Sequence, residues 1–131
     1  MKITMKNRDL VKAINFLNSL NLKGKDSRSR SKFIRLLEKY FEELKEDELN
    51  LLKEFDLLDE TGNIKKETND TDSIRLFNIE QEKLYSEQVI INCEDIIDRM
   101  NTLKEVLENL DTEISGDDAY IYDYLLDEME K

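Results

Sequence analysis

The sequence contains no histidine, no tryptophan and no proline, one cysteine and three glycines in 131 residues. The missing histidines remove the usual general base, a common metal ligand and every Ser-His-Asp or Cys-His nucleophile. Cys93 alone cannot form an intramolecular disulfide, and there is no cysteine cluster to hold a metal. A reducing cytosol is the default setting for such a chain. The glycines stand apart at 24, 62 and 116, so no Gly-rich phosphate loop is present. The opening Met-Lys-Ile-Thr-Met-Lys-Asn lacks the apolar stretch of a signal peptide. No apolar run approaches the ~20 residues that span a bilayer. Together these absences predict a cytoplasmic protein with no cofactor, no metal and no membrane partner. By elimination they argue against an enzyme.

What is present in excess is charge: 39% of residues are charged, against about 25% in an average soluble domain. The net charge is −11 and unevenly spread. Residues 1–35 carry ten Lys or Arg against two Asp, a balance of +8, and the remainder carries −19. That field repels nucleic acid over most of the surface and attracts basic proteins. Leu, Ile, Val and Phe still number 39, enough for a core, so the composition is not that of a disordered chain. The length fits one domain over 1–131.

Periodicity gives the elements. Lys2-Ile3-Thr4-Met5-Lys6 alternates like a short half-buried strand. Asn7 can cap a first helix over about 8–21, in which Leu10, Ile14, Leu17 and Leu20 form the stripe. Lys25 to Lys32 is polar and basic, readable as a loop or as an exposed first turn. From Phe33 a strong stripe runs through Leu37, Tyr40, Leu44, Leu51 and Phe55 to Leu58, lapsing at Asp47 and Glu48, where a kink or break is expected. Asp59 to Asn63 is a turn with Gly62 or Asn63 at positive φ. Lys65 to Asp72 is polar and reads as a mobile connection. Ile74, Phe77, Gln81 and Leu84 place a third helix, ending near Glu87, against the second. Val89-Ile90-Ile91 is the second strand candidate. Ile96, Met100, Leu103, Leu107 and Leu110 mark a fourth helix. Ser115 and Asp118 have capping-box spacing before a last helix over about 116–130. The predicted fold is mainly α: a long antiparallel helical hairpin over about 31–87, three further helices, and a two-stranded antiparallel element joining residues 2–6 to 88–93.

Several of these features, in this order, resemble a small phage-encoded family, domain-of-unknown-function family 1617. The Met1-Lys2-Ile3 strand leading through Lys6-Asn7 into Val11-Lys12-Ala13-Ile14-Asn15-Phe16-Leu17-Asn18 is similar to its amino-terminal pattern. The long Leu/Glu/Lys helix ending in Asp59-Glu60-Thr61-Gly62-Asn63-Ile64, the strand Val89-Ile90-Ile91 and the closing Leu110-Asp111 fit the rest. The chain departs from it in the Ser/Arg segment at 27–32 and in the length of the fourth helix. The resemblance implies a phage or prophage origin. It implies no activity and carries over no functional residue.

Two surface features are candidate sites. The first is the carboxyl-terminal acidic and aromatic face: Asp111, Glu113, Asp117, Asp118, Tyr122, Asp123, Asp127, Glu128 and Glu130. Asp123 and Asp127, and Asp127 and Glu130, lie at helical spacings that share a face. It is either a solvated helix surface or a row of carboxylates standing in for a phosphate backbone in a Lys/Arg groove. Of Tyr120, Tyr122 and Tyr124, at least one must face out, because five residues exceed a helical turn; Tyr122 is the expected one, suited to an interface. The second is the basic patch Lys23, Lys25, Arg28, Arg30, Lys32 and Arg35. It is a solvated segment, a contact for an acidic partner, or a complement to the acidic half of this chain or a second copy. No helix-turn-helix or RNA-binding signature accompanies it, so direct nucleic-acid binding is not expected. The acids and glycine at 59–63 lack the spacing of a calcium loop, and Cys93 reads as a small buried hydrophobe.

These features lead to an expectation of a phage-encoded interaction protein. Its partner would be a host protein with a basic surface, inhibited as in an anti-CRISPR or DNA-mimic mechanism. The alternative is a helical adaptor or chaperone for virion assembly, with homo-oligomerisation open.

Overall fold

In a computed structural model of the chain, the residues described are 1–65 and 71–131. They form β1 (Lys2–Lys6), α1 (Asp9–Ser19), α2 (Gly24–Glu54), α3 (Thr71–Ser86), β2 (Gln88–Asn92), a 3₁₀ turn (Glu94–Ile96), α4 (Ile97–Glu108) and α5 (Gly116–Glu130). The architecture is mainly α with one small antiparallel sheet, as the periodicity predicts. Part of the polar connection expected over 65–72, residues 66–70, lies outside the described residues.

The two strands pair in register Ile3 to Ile91 and Met5 to Val89. The backbone bonds Cys93 N to Met1 O and Asn7 N to Glu87 O, both 2.9 Å, extend the ladder at its ends and fix its phase. Odd-numbered partners therefore exchange the ladder hydrogen bonds, and their side chains Ile3, Met5 and Ile91 are buried on the core face. The backbone groups of Thr4 and Ile90 point away from each other, off the two outer edges. An isolated pair of strands is marginal in water. This pair rests on Phe16, Phe33, Leu37, Met100, Leu103, Leu107, Ile121 and Leu125, contributed by α1, α2, α4 and α5 and all essentially fully buried.

Helix α2 begins at Gly24, about two and a half turns before Phe33, so the Ser/Arg segment is helical. Its polar side chains are satisfied locally. Ser29 and Ser31 hydroxyls donate to the carbonyls of Lys25 and Ser27, four residues back, at 2.9 and 3.0 Å. Arg30 turns towards α1 and donates to the Leu17 and Leu20 carbonyls at its carboxyl end. Those carbonyls belong to the last turn, where helix acceptors lack intrahelical partners and favour a cation. The helix also passes Asp47 without the expected break. Glu48 fills the lapse in the apolar stripe by accepting hydrogen bonds from the Tyr85 hydroxyl and from Gln81 Nε2 on α3. At 31 residues α2 is about 46 Å long.

It ends at Glu54 rather than Leu58, because Asp56 takes φ 54°. In the following turn Asp59 Oδ1 accepts from the Thr61 amide, the Thr61 hydroxyl and the Asn63 amide at 2.9, 2.6 and 3.0 Å, and Gly62 adopts φ 85°. The Thr61 hydroxyl bond is the chief reason the Asp59 carboxyl ionises below its ordinary range. α3 returns antiparallel. Gln81 and Tyr85 meet Glu48, while Leu52, Leu57 and Phe77 form a small separate cluster at the tip.

Three local expectations are corrected. Asn7 does not cap α1; its Nδ2 donates to Leu84 O at 2.9 Å and so closes the end of α3. Ile74 is not on the buried face of α3: Phe77 and Leu84 are, and Ile74, Leu76 and Ile79 are exposed. No side-chain capping bond forms at Ser115, which leaves the capping box unmade.

Candidate functional site

Helix α5 presents the acidic face, and its anchoring decides which residues remain outside. Ile121, Leu125 and Met129 form the buried stripe. Tyr122 and Tyr124 sit on either flank of that stripe, and each hydroxyl reaches a backbone carbonyl. Tyr122 donates to Leu107 O of α4 at 2.8 Å, with its ring edge-on to Phe16 at 6.2 Å. Tyr124 donates to Thr4 O of β1 at 2.6 Å. Glu128 is only 6% exposed and accepts from the Thr4 amide at 3.4 Å and from Lys131 at 2.8 Å. Tyr124 and Glu128 thus satisfy both outward backbone groups of Thr4 and cover the β1 edge at its middle residue.

The outward tyrosine is therefore Tyr120, 46% exposed, and not Tyr122. Tyr120 donates to Asp9 Oδ2 at 3.1 Å, and Lys12 lies 5.8 Å over its ring. Partial burial and the Asp9 carboxylate raise the pKa of its hydroxyl. Burial, with the charge of Glu128, does the same for Tyr124.

Of the acidic residues named from the sequence, Asp111, Glu113, Asp117, Asp123, Asp127 and Glu130 are exposed and Asp118 is half-buried. Lys12 approaches Asp117 to 3.7 Å. Asp111, Glu113, Asp123, Asp127 and Glu130 make no ion pair among the described residues. Glu128 leaves the set, because a carboxylate that accepts from the Thr4 amide faces inward.

The basic patch divides in the same way. Lys25, Arg28, Lys32 and Arg35 are exposed at spacings of three and four on the outer face of α2, while Lys23 precedes the helix and Arg30 is committed to α1. Lys39, four residues after Arg35, continues the row and was legible from that spacing. Lys25 and Lys32 border open clefts shared with Asp95, Asp98 and Glu105, so the row runs beside acidic residues of its own chain. Among the described residues, no group of three or more Cys, Asp or Glu side chains is gathered in a way that holds a metal ion. No described helix is long and apolar enough to cross a membrane. Cys93 is fully buried, and burial pushes its thiol up to about 11.

Comparison of this chain with protein-family models, with curated proteins and with solved structures gave no match.

Proposed function

We propose that this chain is an acidic interaction module that binds a basic, nucleic-acid-directed protein and blocks its groove. The resemblance to a phage family makes that partner a host defence enzyme, for example a CRISPR effector. The observation behind this reading is the set of outward carboxylates Asp111, Glu113, Asp123, Asp127 and Glu130, which make no ion pair among the described residues, Lys131 acting on Asp127 only through its charge. They sit on or beside a helix that Tyr122, Tyr124 and Glu128 fasten to α4 and β1. A fixed scaffold loses little freedom on binding, which favours recognition through charge. Along α5 the charges at 123, 127 and 130 lie about 6 and 4.5 Å apart. A nucleic-acid strand carries one phosphate per about 3.4 Å. The row is sparser than the backbone it would replace, so it occupies part of a groove.

The test is capture of partners from host lysate, followed by a salt titration of the purified pair and competition with DNA. Binding should weaken steeply with salt. The combined D123N, D127N and E130Q variant should lower affinity by at least about tenfold and flatten the salt slope by about three charges. Binding that survives high salt and leaves DNA occupancy unchanged would rule the reading out.

A second reading has its own observation. Ile74, Leu76 and Ile79 on α3, with Leu49 on α2, are large apolar side chains left exposed on the hairpin. Exposed apolar side chains on a long helical pair suit an adaptor or chaperone for virion proteins. Capture of phage structural proteins alone would favour it over the inhibitor.

A further inference from the structure

The two edges of the sheet are treated differently. On β1 the outward amide and carbonyl of Thr4 are taken up by Glu128 and Tyr124. On β2 the corresponding groups belong to Ile90, directly across from Thr4 in the register. The phase of the ladder points the Ile90 N–H and C=O away from β1. Among the described residues no backbone or side-chain group bonds to either. The Ile90 side chain is 60% exposed, and Gln88 and Asn92 beside it are exposed too. Open edges are usually guarded by a lysine, a proline, a bulge or a covering element. β2 reads Gln-Val-Ile-Ile-Asn and carries no charge or proline, in a chain where 39% of residues are charged.

We propose that β2 pairs antiparallel with β2 of a second copy of this chain, across a two-fold axis at Ile90. The strand is self-complementary about that residue. Ile90 meets Ile90 of the other copy, and Gln88 meets Asn92, an amide opposite an amide. The nearest carboxylates, Glu87 and Glu94, fall opposite Cys93 and Ser86 respectively, so no like charges are opposed. Residues 88, 90 and 92 all point their backbone groups outward. The pairing therefore makes about six main-chain hydrogen bonds, two for each hydrogen-bonded pair. The product is a four-stranded sheet in the order β1, β2, β2, β1. Its outer edges are the β1 edges, covered at Thr4 by α5, so the assembly stops at two copies.

The strand itself is uncharged, so two chains of net charge −11 can meet there with no charged side chains within the paired segment. At physiological salt the repulsion between the chains is screened beyond about 8 Å. Five residues a side bury much less than the roughly 800 Å² per partner of a standard interface, so the dimer is weak and concentration-dependent. It strengthens with added salt, opposite to binding through the acidic face.

The test is sedimentation velocity from about 10 μM to about 1 mM, spanning the weak end of the affinity scale, at low and high salt. Amide hydrogen exchange is followed over the same series. The unmodified protein should shift from monomer to dimer. The amides of Gln88, Ile90 and Asn92 should gain protection in step, while those of Val89 and Ile91, already in the ladder, stay constant. Ile90→Lys, at an exposed position, places two ammonium groups on the axis and should weaken association at least about tenfold. A monomer throughout overturns the proposal. So does a dimer in which the Ile90 amide exchanges as fast as in dilute solution, or one indifferent to Ile90→Lys, since association would then use another face.

Discussion

Replacing Tyr124 by Phe deletes one oxygen and tests how the β1 edge is closed. The hydroxyl donates to Thr4 O at 2.6 Å in a partly buried setting, and no other described group bonds to that carbonyl. Its loss removes a hydrogen bond worth about 0.5–1.5 kcal/mol and leaves an acceptor short of a partner, so the expected cost is about 1–2 kcal/mol. For a chain of this size that lowers Tm by about 3–8 °C. Tyr122→Phe is the internal comparison. Its acceptor, Leu107 O, also receives the Leu110 amide at 3.3 Å, so the carbonyl keeps a partner and the cost falls to about 0.5–1 kcal/mol. Urea unfolding of both variants at equal m-value gives the two figures. A Tyr124→Phe cost below about 0.5 kcal/mol, the range of ordinary surface changes, would refute the edge-closing role. So would a larger cost for Tyr122→Phe. If Tyr122→Phe left stability untouched and abolished partner binding, the interface role first expected for that residue would be restored.

Three further outcomes follow from burial. Phe33→Ala should cost about 3–5 kcal/mol in urea unfolding, because Phe33 is fully enclosed at the centre of the core. Cys93 should resist thiol reagents at neutral pH in the native protein and react once it is unfolded, since its thiol is both inaccessible and pushed up to about 11. Burial, and secondly the hydrogen bond to Glu48, push the Tyr85 hydroxyl up to about 12. A raised folded-state value means that this contribution to stability is complete below the ordinary tyrosine pKa of about 10 and is lost as pH rises through about 12. Ultraviolet titration should show Tyr85 among the late-ionising tyrosines, with Tyr120 and Tyr124, and its ionisation alone should move down in Glu48→Gln.

The sequence reveals the elements whose cause is local and conceals those whose cause is a distant partner. The strand alternation at 2–6 and the stripes of α4 and α5 are visible because apolar spacing alone produces them. The first turns of α2 are hidden because what holds them is Arg30 reaching the end of α1 and serines bonding back along their own helix. Continuity at Asp47 is hidden for a similar reason: the apolar stripe lapses there, and the substitute is a carboxylate paired with Tyr85. On α5, centring a helical projection on Ile121, Leu125 and Met129 places Tyr120 furthest out and Tyr122 on the flank of the buried stripe, so that signal was present. The inward turn of Glu128 was not, because it depends on an unpaired strand edge that only the assembled sheet creates.

The way the β1 edge is closed also bears on the order of events during synthesis. β1 is made before every other element of this fold, yet its ladder partner is β2 and its other edge is covered by residues 124 and 128. At about 5–20 residues per second, the roughly 80 residues between Lys6 and Gln88 take about 4–16 s to emerge. Over that interval Ile3 and Met5 have no sheet to enter. α1 and α2, which contact each other directly, can pack in the meantime. A nascent chain halted before residue 88 should therefore hold helices without the sheet. One halted before residue 124 should hold a sheet exposed along both margins, the most association-prone stage in the life of this polypeptide.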